Sequence, residues 1–307
     1  MSSRRKIEVD EFKALILLKK KKPYILVEGK DDIQFYENLV ESIGKDYIVE
    51  PIGKYKDSSN CTAVIEFMYE LANILDNDEK RKYFLGIIDG DARKYRDNID
   101  KIDTNQLLYI LKYYSWESYF INKEVVSKSI KNYLKTRSLL SENLVEYIYT
   151  EHIEKYLLYE LWLCGLKRLR DSKNDDKCNK DNSINRLNKD SKFIEELKAL
   201  EEELFLFATQ KELTCNHQTL LEITKGKWAL AFFIKKYLQV LKKLPNMCND
   251  EKLKLVKTCD YCEKEAFKDC LYELRATYKE EHIMADIINF VDIPSLLPIK
   301  ERLQQLK

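Results

Sequence analysis

Two short apolar runs, each followed at once by acidic residues, constrain the fold of this chain most. Residues 24–27 (Tyr-Ile-Leu-Val) precede Glu28, and residues 83–88 (Tyr-Phe-Leu-Gly-Ile-Ile) precede Asp89. Both runs have the length of a strand and are bounded by turn residues or charge, so each predicts a short buried strand. Because ligands bind beyond the carboxyl ends of the strands in open parallel sheets, we expect Glu28 and Asp89 to lie at a ligand-binding edge.

The acids around these two positions have the spacing of a divalent-metal site. Asp31 is a candidate N-cap for a helix of apolar periodicity that begins at residue 33, which places Asp32 near the end of the first strand. Asp89 and Asp91 share a face if both lie on extended backbone. Mg²⁺ and Mn²⁺ prefer hard oxygen ligands, so the predicted metal-binding set is Glu28, Asp32, Asp89 and Asp91. The alternative is that these acids serve only as helix caps and turn residues.

In this order, the motifs resemble the TOPRIM domain of topoisomerases, primases and overcoming-lysogenization-defect (OLD) nucleases. The resemblance covers residues 1–125 and rests on residues 28–32 (Glu-Gly-Lys-Asp-Asp), on residues 89–91 (Asp-Gly-Asp) and on a Gly53-Lys54 turn after a strand predicted at residues 47–52. Residues 114–120 resemble an acidic and aromatic segment of OLD-like proteins, which implies Glu117 as a fifth metal-binding carboxylate. The alternative for Glu117 is a surface residue that opens the next helix.

Basic residues near the acidic motifs are candidates for binding the phosphates of a nucleic acid. Lys54 follows the second predicted strand, and Arg93 and Lys94 follow the motif at residues 89–91. Such side chains can hold the phosphodiester groups that flank a metal centre. The alternative for residues 93–96 is a solvated turn. The net charge is +1, from 53 basic and 52 acidic residues, so any binding of nucleic acid has to come from local patches.

The character of the sequence changes after residue 125. The chain of 307 residues has only 7 glycines and 5 prolines, and five of those glycines lie in the first 90 residues. Helical periodicity dominates the remainder, in stretches at residues 147–166, 193–207, 228–244 and 271–291. We therefore predict an α/β protein: a TOPRIM-type parallel sheet flanked by helices over residues 1–125, then a mostly α-helical domain over residues 126–307. The polar residues 171–192 predict a mobile loop in that domain.

One glycine of the second half precedes its strongest amphipathic stretch. Gly226 lies in Thr-Lys-Gly-Lys (residues 224–227), directly before the helix predicted for residues 228–244. A Gly-Lys turn at a helix N-terminus can hold an anion, because backbone donors and the ammonium face one point. The turn resembles a segment by which OLD-like nucleases return a lysine to the metal site, which implies a catalytic Lys227. The alternative is a loop glycine with a surface lysine.

The cysteines and the apolar segments indicate a cytoplasmic protein that does not act on membranes. The N-terminus leads into a charged helix, and no apolar stretch is long enough to span a bilayer. Eight scattered cysteines are then most simply free thiols in a reducing compartment. A zinc site can be drawn from Cys259, Cys262, Cys270 and His282, but a second Cys-x-x-Cys pair is absent from the sequence, so we favour free thiols.

The resemblance implies a Mg²⁺- or Mn²⁺-dependent phosphodiesterase in which Glu28 binds metal or acts as general acid or base, and Lys227 neutralises charge on the phosphate. A TOPRIM-like domain followed by a helical half, without an ATPase motif, resembles the stand-alone TOPRIM nucleases that are encoded beside an ABC-type ATPase in phage-defence operons. Among these nucleases, the sequence most resembles the PARIS effectors. That group implies an effector released by the partner ATPase, which cleaves host tRNA as a homodimer. The alternatives are a DNA-nicking endonuclease with the same chemistry and a non-catalytic adaptor subunit of an ATPase complex.

Overall fold

The structure is a computed structural model that describes residues 22–75, 81–95, 107–136, 138–171, 191–248 and 258–307. It divides into two compact units. The first contains the described residues of Met1–Gly90, Asp100–Lys112 and Val291–Lys307, and the second contains those of Asp91–Ile99 and Tyr113–Phe290. Residues 113–125, which the sequence placed with the sheet, therefore group with the helical unit, and the last 17 residues group with the sheet.

A parallel sheet of four strands forms the centre of the first unit, which confirms the predicted α/β class. The strands run in the spatial order β2-β1-β3-β4 and are β1 (Tyr24–Val27), β2 (Ile48–Pro51), β3 (Phe84–Ile88) and β4 (Leu108–Ile110). In the central pair, Tyr24 lies opposite Phe84, and Leu26 lies opposite Gly86. Every residue of these two strands except Tyr24 is buried. Because central parallel strands are covered on both faces, their sequences are continuous apolar runs rather than alternating ones.

Two helices lie between strands of the sheet in the part of the chain that the structure describes. Helix α1 (Ile33–Ser42) joins β1 to β2, and helix α2 (Cys61–Ile74) lies between β2 and β3. Asn60 caps α2 by accepting a hydrogen bond of 2.9 Å from the backbone N–H of Ala63. Helix α2 packs closely on β3 because position 86 is a glycine; a Cβ there would lie 2.7 Å from Cγ of Met68. The buried core between α2 and the sheet includes Leu26, Phe67, Phe84, Ile88 and Leu108.

The second unit is helical, as predicted for the C-terminal half. Its helices are α3 (Lys123–Tyr133), α4 (Glu142–Tyr149), α5 (Trp162–Asp171), α6 (Ser191–Ala199), α7 (Glu201–Gln210), α8 (His217–Ile223), α9 (Gly226–Cys248), α10 (Asp260–Glu263) and α11 (Glu280–Ile287). Two π-helical segments, Thr150–Glu154 and Leu157–Leu161, lie between α4 and α5. None of the described helices is long and apolar enough to cross a membrane.

Helix α9 is the longest described helix, with 23 residues, and it runs through the core of the second unit. Its residues Phe233 and Tyr237 are completely buried. The Tyr237 hydroxyl forms a hydrogen bond of 2.9 Å with the hydroxyl of Ser129 on α3. The amphipathic stretch predicted for residues 228–244 therefore packs its apolar face into the core of this unit.

The helix predicted for residues 271–291 is shorter than expected, and most of the loop predicted for residues 171–192 lies outside the described residues. The helix predicted for residues 271–291 forms only over Glu280–Ile287, because the residues before it pair with the end of α3. The N–H of Thr136 donates to the carbonyl of Leu271, and the N–H of Arg275 donates to that of Tyr133, each at 2.8 Å. Residues 172–190 of the predicted mobile loop lie outside the described residues, and its ends at residues 171 and 191–192 belong to helices α5 and α6.

The chain ends in the first unit. Helix α12 (Leu297–Gln304) packs against α1. The Tyr47 hydroxyl donates a hydrogen bond of 3.0 Å to the carbonyl of Leu303, and the N–H of Lys307 donates one of 3.0 Å to the carbonyl of Lys82. These long-range bonds connect the C-terminal segment to the sheet unit, which the hydrophobic periodicity of the sequence did not predict.

Candidate functional site

Glu28 and Asp89 are the first residues after the two central strands of the sheet. The backbone N–H of Asp89 donates a hydrogen bond of 2.9 Å to Oε1 of Glu28, so the two strand ends are directly connected. Both side chains are partly exposed. From β1 the chain proceeds outward to β2 on one side, and β3 and β4 lie on the other. Such a reversal of strand order opens a crevice beyond the carboxyl ends of the two central strands, where ligands bind in open α/β sheets.

Asp32 lies in the loop that leaves β1. Residues Lys30–Asp32 form one 3-10 turn before α1, and Oδ2 of Asp32 accepts a hydrogen bond of 2.9 Å from the backbone N–H of Gly29. Asp31 is exposed, and the residue at the N-cap position of α1 is Asp32, whose side chain makes no capping hydrogen bond to the helix. The prediction of Asp31 as the N-cap is therefore wrong by one position, because the 3-10 turn delays the start of the helix. Asp32 fixes the loop that carries Glu28, whatever its part in metal binding.

A thiol that sequence reasoning missed lies beside Glu28. Cys61 is the first residue of α2, and its Sγ lies within 4.8 Å of a carboxylate oxygen of Glu28. A cysteine at the start of a helix gives no sequence signal of such proximity. Thiolates select softer metals than Mg²⁺, so Cys61 adds nothing to the hard oxygen donors of this edge.

Asp91 begins the second unit, and its backbone differs from the predicted one. Its φ is 49°, and that of Ala92 is 55°, so the chain turns through the left-handed region directly after Gly90. Asp91 is therefore not on extended backbone, so the argument that a spacing of two residues puts it on the face of Asp89 does not hold. Metal binding by Asp91 stays a prediction. Oδ2 of Asp91 accepts a hydrogen bond of 3.4 Å from Nη2 of Arg93, and both side chains are mostly buried.

Lys94 contacts a buried carboxylate that the sequence analysis did not select. Glu222 lies at the end of α8 and is 4% exposed. It forms an ion pair with Lys94 and accepts hydrogen bonds from the hydroxyl of Tyr95 and, at 3.0 Å, from Nε2 of Gln218. Burial opposes ionisation of Glu222, but these three donors outweigh burial and hold the pKa of its carboxyl below the ordinary value. The available signal was an acid within the apolar run Leu220-Leu221-Glu222-Ile223.

Each of the three predicted phosphate-binding side chains contacts a carboxylate. Lys54 forms an ion pair with Glu50, four residues earlier, and Glu50 also accepts a hydrogen bond from the hydroxyl of Tyr55. Arg93 and Lys94 pair with Asp91 and Glu222, as described above. These contacts lower the positive potential that each side chain presents to a phosphate group, and binding of phosphate by these residues stays a prediction.

Glu117 packs against the first residue of helix α9 and is only 4% exposed. The reading of Glu117 as a surface residue is therefore wrong. It belongs to a 3-10 turn, Trp116–Phe120, and its Oε2 accepts a hydrogen bond from the hydroxyl of Ser115. Gly226 packs directly on this turn; a Cβ at Gly226 would lie 2.0 Å from Oγ of Ser115 and 3.1 Å from Oε2 of Glu117.

This packing explains why a glycine begins α9. Any larger side chain would displace the side chains of Ser115, Ser118 and Glu117. The positive end of the helix dipole also favours a buried carboxylate at this point. Lys227 follows as the second residue of α9 and is exposed. The structure therefore brings the predicted Gly-Lys segment and the predicted fifth carboxylate together within the second unit. Catalysis by Lys227 and metal binding by Glu117 stay predictions.

The chain matches no protein-family model and no curated protein significantly. The functional assignment therefore depends on the geometry of these residues.

Proposed function

We propose that this chain is a TOPRIM-type, metal-dependent nuclease that hydrolyses phosphodiester bonds. The observation that carries this proposal is the position of Glu28 and Asp89, which follow the adjacent central strands β1 and β3 and are connected by a hydrogen bond of 2.9 Å. In α/β sheets with a reversal of strand order, ligands bind at this edge. Two acids there favour a ligand that carries positive charge, such as a metal ion.

The donor chemistry fits Mg²⁺ or Mn²⁺. Glu28, Asp32 and Asp89 offer carboxylate oxygens on a partly exposed edge, and all three belong to the first unit. Oxygen donors of this kind suit hard divalent cations. Such an ion, when bound, polarises the phosphoryl oxygen and lowers the pKa of water.

The protein groups at this edge are held in place before any ligand binds. The N–H of Asp89 orients the Glu28 carboxylate through Oε1, and Asp32 closes the loop at Gly29. Orientation by the backbone reduces the reorganisation that binding requires. Alternatively, Glu28 acts as general acid or base, since its partial exposure gives it access to a proton on the substrate.

The substrate and partners are proposed on the resemblance to stand-alone TOPRIM nucleases. We favour tRNA as the substrate, an ABC-type ATPase as the partner that controls activity, and a homodimer as the active form. The helical unit carries exposed apolar side chains at Phe205 and Leu206 of α7, which are 41% and 61% exposed. Two neighbouring exposed apolar residues are compatible with a partner on this helix.

A non-catalytic adaptor is the second candidate function, and one observation favours it. Lys54, Arg93 and Lys94 all contact carboxylates, as they would in a chain whose charges serve structure alone. A DNA-nicking endonuclease differs from the favoured nuclease only in its substrate.

Induced expression separates these functions. Wild type and Glu28→Ala are expressed at matched levels in cells, and total RNA and DNA are separated on gels. We expect wild type to degrade tRNA and Glu28→Ala to leave it intact. Nicked DNA with intact RNA would support the DNA endonuclease. The proposal of a nuclease is contradicted if wild type, expressed without a partner ATPase, leaves both nucleic acids intact in cells and the purified chain cleaves neither of them with Mg²⁺ or with Mn²⁺.

A further inference from the structure

Four cysteine thiols converge in the second unit, and none of them is among the residues assigned to the nuclease site. Cys248 ends helix α9, Cys259 directly precedes α10, Cys262 lies within α10, and Cys270 follows the 3-10 turn Phe267–Asp269. Their four Sγ atoms all lie within 4.8 Å of one another. Each residue is buried, with exposed fractions of 1%, 1%, 5% and 1% in chain order.

The spacing of the sulfurs matches a tetrahedral metal site. Zinc binds four thiolates with Zn–S distances of about 2.3 Å, which places the sulfurs roughly 3.8 Å apart. Sulfurs that already lie within 4.8 Å of one another reach this geometry through small side-chain movements. Four-cysteine sets of this kind are typical of structural zinc sites, which leave no open position for water or substrate.

Backbone groups around the cluster are arranged to stabilise thiolates. The N–H of Cys259 points to Sγ of Cys248 at 3.3 Å, and the N–H of Leu271 points to Sγ of Cys259 at 3.5 Å. Such outer contacts orient metal ligands and favour their charged form. The chain between Cys262 and Cys270 folds back through Glu265, whose φ of 62° reverses its direction.

We propose that Cys248, Cys259, Cys262 and Cys270 bind one structural Zn²⁺ ion. Each thiol releases its proton to solvent as its sulfur binds the metal, and no sulfur is oxidised. His282, which the sequence offered as a ligand, is replaced by Cys248. Cys248 lies 11 positions before Cys259, the first residue of the Cys-x-x-Cys pair, and its position at the end of α9 brings its thiol close to that pair.

The ion would tie two parts of the second unit together. Cys248 marks the end of α9, and the segment after Cys270 pairs with the end of α3 through Leu271 and Thr136. Buried thiols alone contribute only weak hydrogen bonds to this junction. Zinc would supply four strong bonds to it, so we expect its removal to loosen residues 258–275.

Metal analysis of the full-length chain tests the proposal. The protein is purified without chelators, and its zinc content is measured by inductively coupled plasma mass spectrometry. We expect about one zinc per chain, four sulfur neighbours near 2.3 Å by X-ray absorption, and tetrahedral thiolate bands after exchange for Co²⁺. The proposal is overturned if folded protein from zinc-supplemented cultures contains no metal, or if the cluster cysteines of that protein form disulfides.

Matched cysteine variants identify the ligands. Cys259→Ser and Cys262→Ser should lose zinc, whereas Cys164→Ser, buried elsewhere, and Cys215→Ser, at the surface, should retain it. Zinc retained at full occupancy in both cluster variants would contradict the assignment. Because a ligand variant can fail to fold, the wild-type cobalt spectrum and X-ray absorption give a result that depends on no substitution. Chelation of wild type should also lower its midpoint of thermal unfolding, and an unchanged midpoint after complete zinc removal would contradict a structural role.

Discussion

The backbone N–H of Asp89, after strand β3, donates a hydrogen bond of 2.9 Å to Oε1 of Glu28, after strand β1. The sequence separates these residues by 61 positions, and the parallel pairing of the two strands brings them together. The bond belongs to the edge of the sheet and not to its core. A substitution can therefore remove the charge of Glu28 without removing a side chain from the core.

We expect Glu28→Gln to abolish metal-dependent cleavage while preserving the fold. Its amide oxygen can still accept the hydrogen bond from Asp89, but the variant loses the charge that a cation requires. Cleavage of purified tRNA and of plasmid DNA with Mg²⁺ should fall by about 100-fold or more. The midpoint of thermal unfolding should change little, since Glu28 is partly exposed. Glu37→Gln, on the exposed face of α1, is the control, and a rate for Glu28→Gln equal to that of this control would remove Glu28 from the site.

Lys227→Ala should slow cleavage by about two orders of magnitude, because one electrostatic stabiliser of the phosphate is lost. Metal affinity should persist, because no carboxylate changes. Lys227→Arg should restore only part of the rate, since a planar guanidinium does not replace a compact ammonium. Single-turnover cleavage assays measure these rates. Lys225→Ala is the matched control, because Lys225 is an exposed lysine on the other side of Gly226. Equal rates for the two alanine variants would leave Lys227 as an ordinary surface residue.

Gly226→Ala should destabilise the second unit through the turn that carries Glu117. The added Cβ would lie 2.0 Å from Oγ of Ser115, and overpacking of this kind costs about 1–3 kcal/mol in the free energy of unfolding. In the double variant Ser115→Ala/Gly226→Ala, removal of the hydroxyl should recover part of this loss. Denaturant unfolding of the two single variants and the double variant gives the coupling energy. Strictly additive effects would show that position 226 does not pack on Ser115 as described.

Stability should depend on pH through Glu222. Burial opposes its ionisation, but donors from Lys94, Tyr95 and Gln218 hold its pKa in the folded chain below 4.5. Its contribution to stability is therefore fully present above pH 4.5 and is lost as the pH falls through the lower folded pKa. Glu222→Gln should lower the free energy of unfolding at pH 7 by about 1–3 kcal/mol, since it breaks hydrogen bonds to a charged group.

Urea unfolding at a series of pH values compares this variant with wild type, and the difference between them should shrink below pH 4.5. Glu146→Gln is the control, because its partner Lys123 is an exposed side chain, so solvent screens that pair. A difference for Glu222→Gln that persists unchanged at the lowest pH would show that its charge makes no contribution.

The central strands could be predicted from the sequence alone, because burial on both faces requires continuous apolar runs, which are visible in the sequence. β1 matches the predicted residues, and β3 begins one residue later than predicted. The sequence also determined that Glu28 and Asp89 follow these strands, since strand ends and turns are local features. The helical periodicity of apolar residues also predicted that the second half is helical.

The contacts between side chains that are distant in the sequence depend on the tertiary structure. The pairing of β1 with β3 connects Asp89 to Glu28, and the packing of α9 on residues 115–118 buries Glu117 and requires a glycine at position 226. The same helix carries Cys248 to Cys259, Cys262 and Cys270. Local periodicity carries no information on such contacts, because they depend on where whole helices and strands pack. The left-handed turn at Asp91 was also hidden, since many acidic residues adopt extended backbone and few adopt a positive φ.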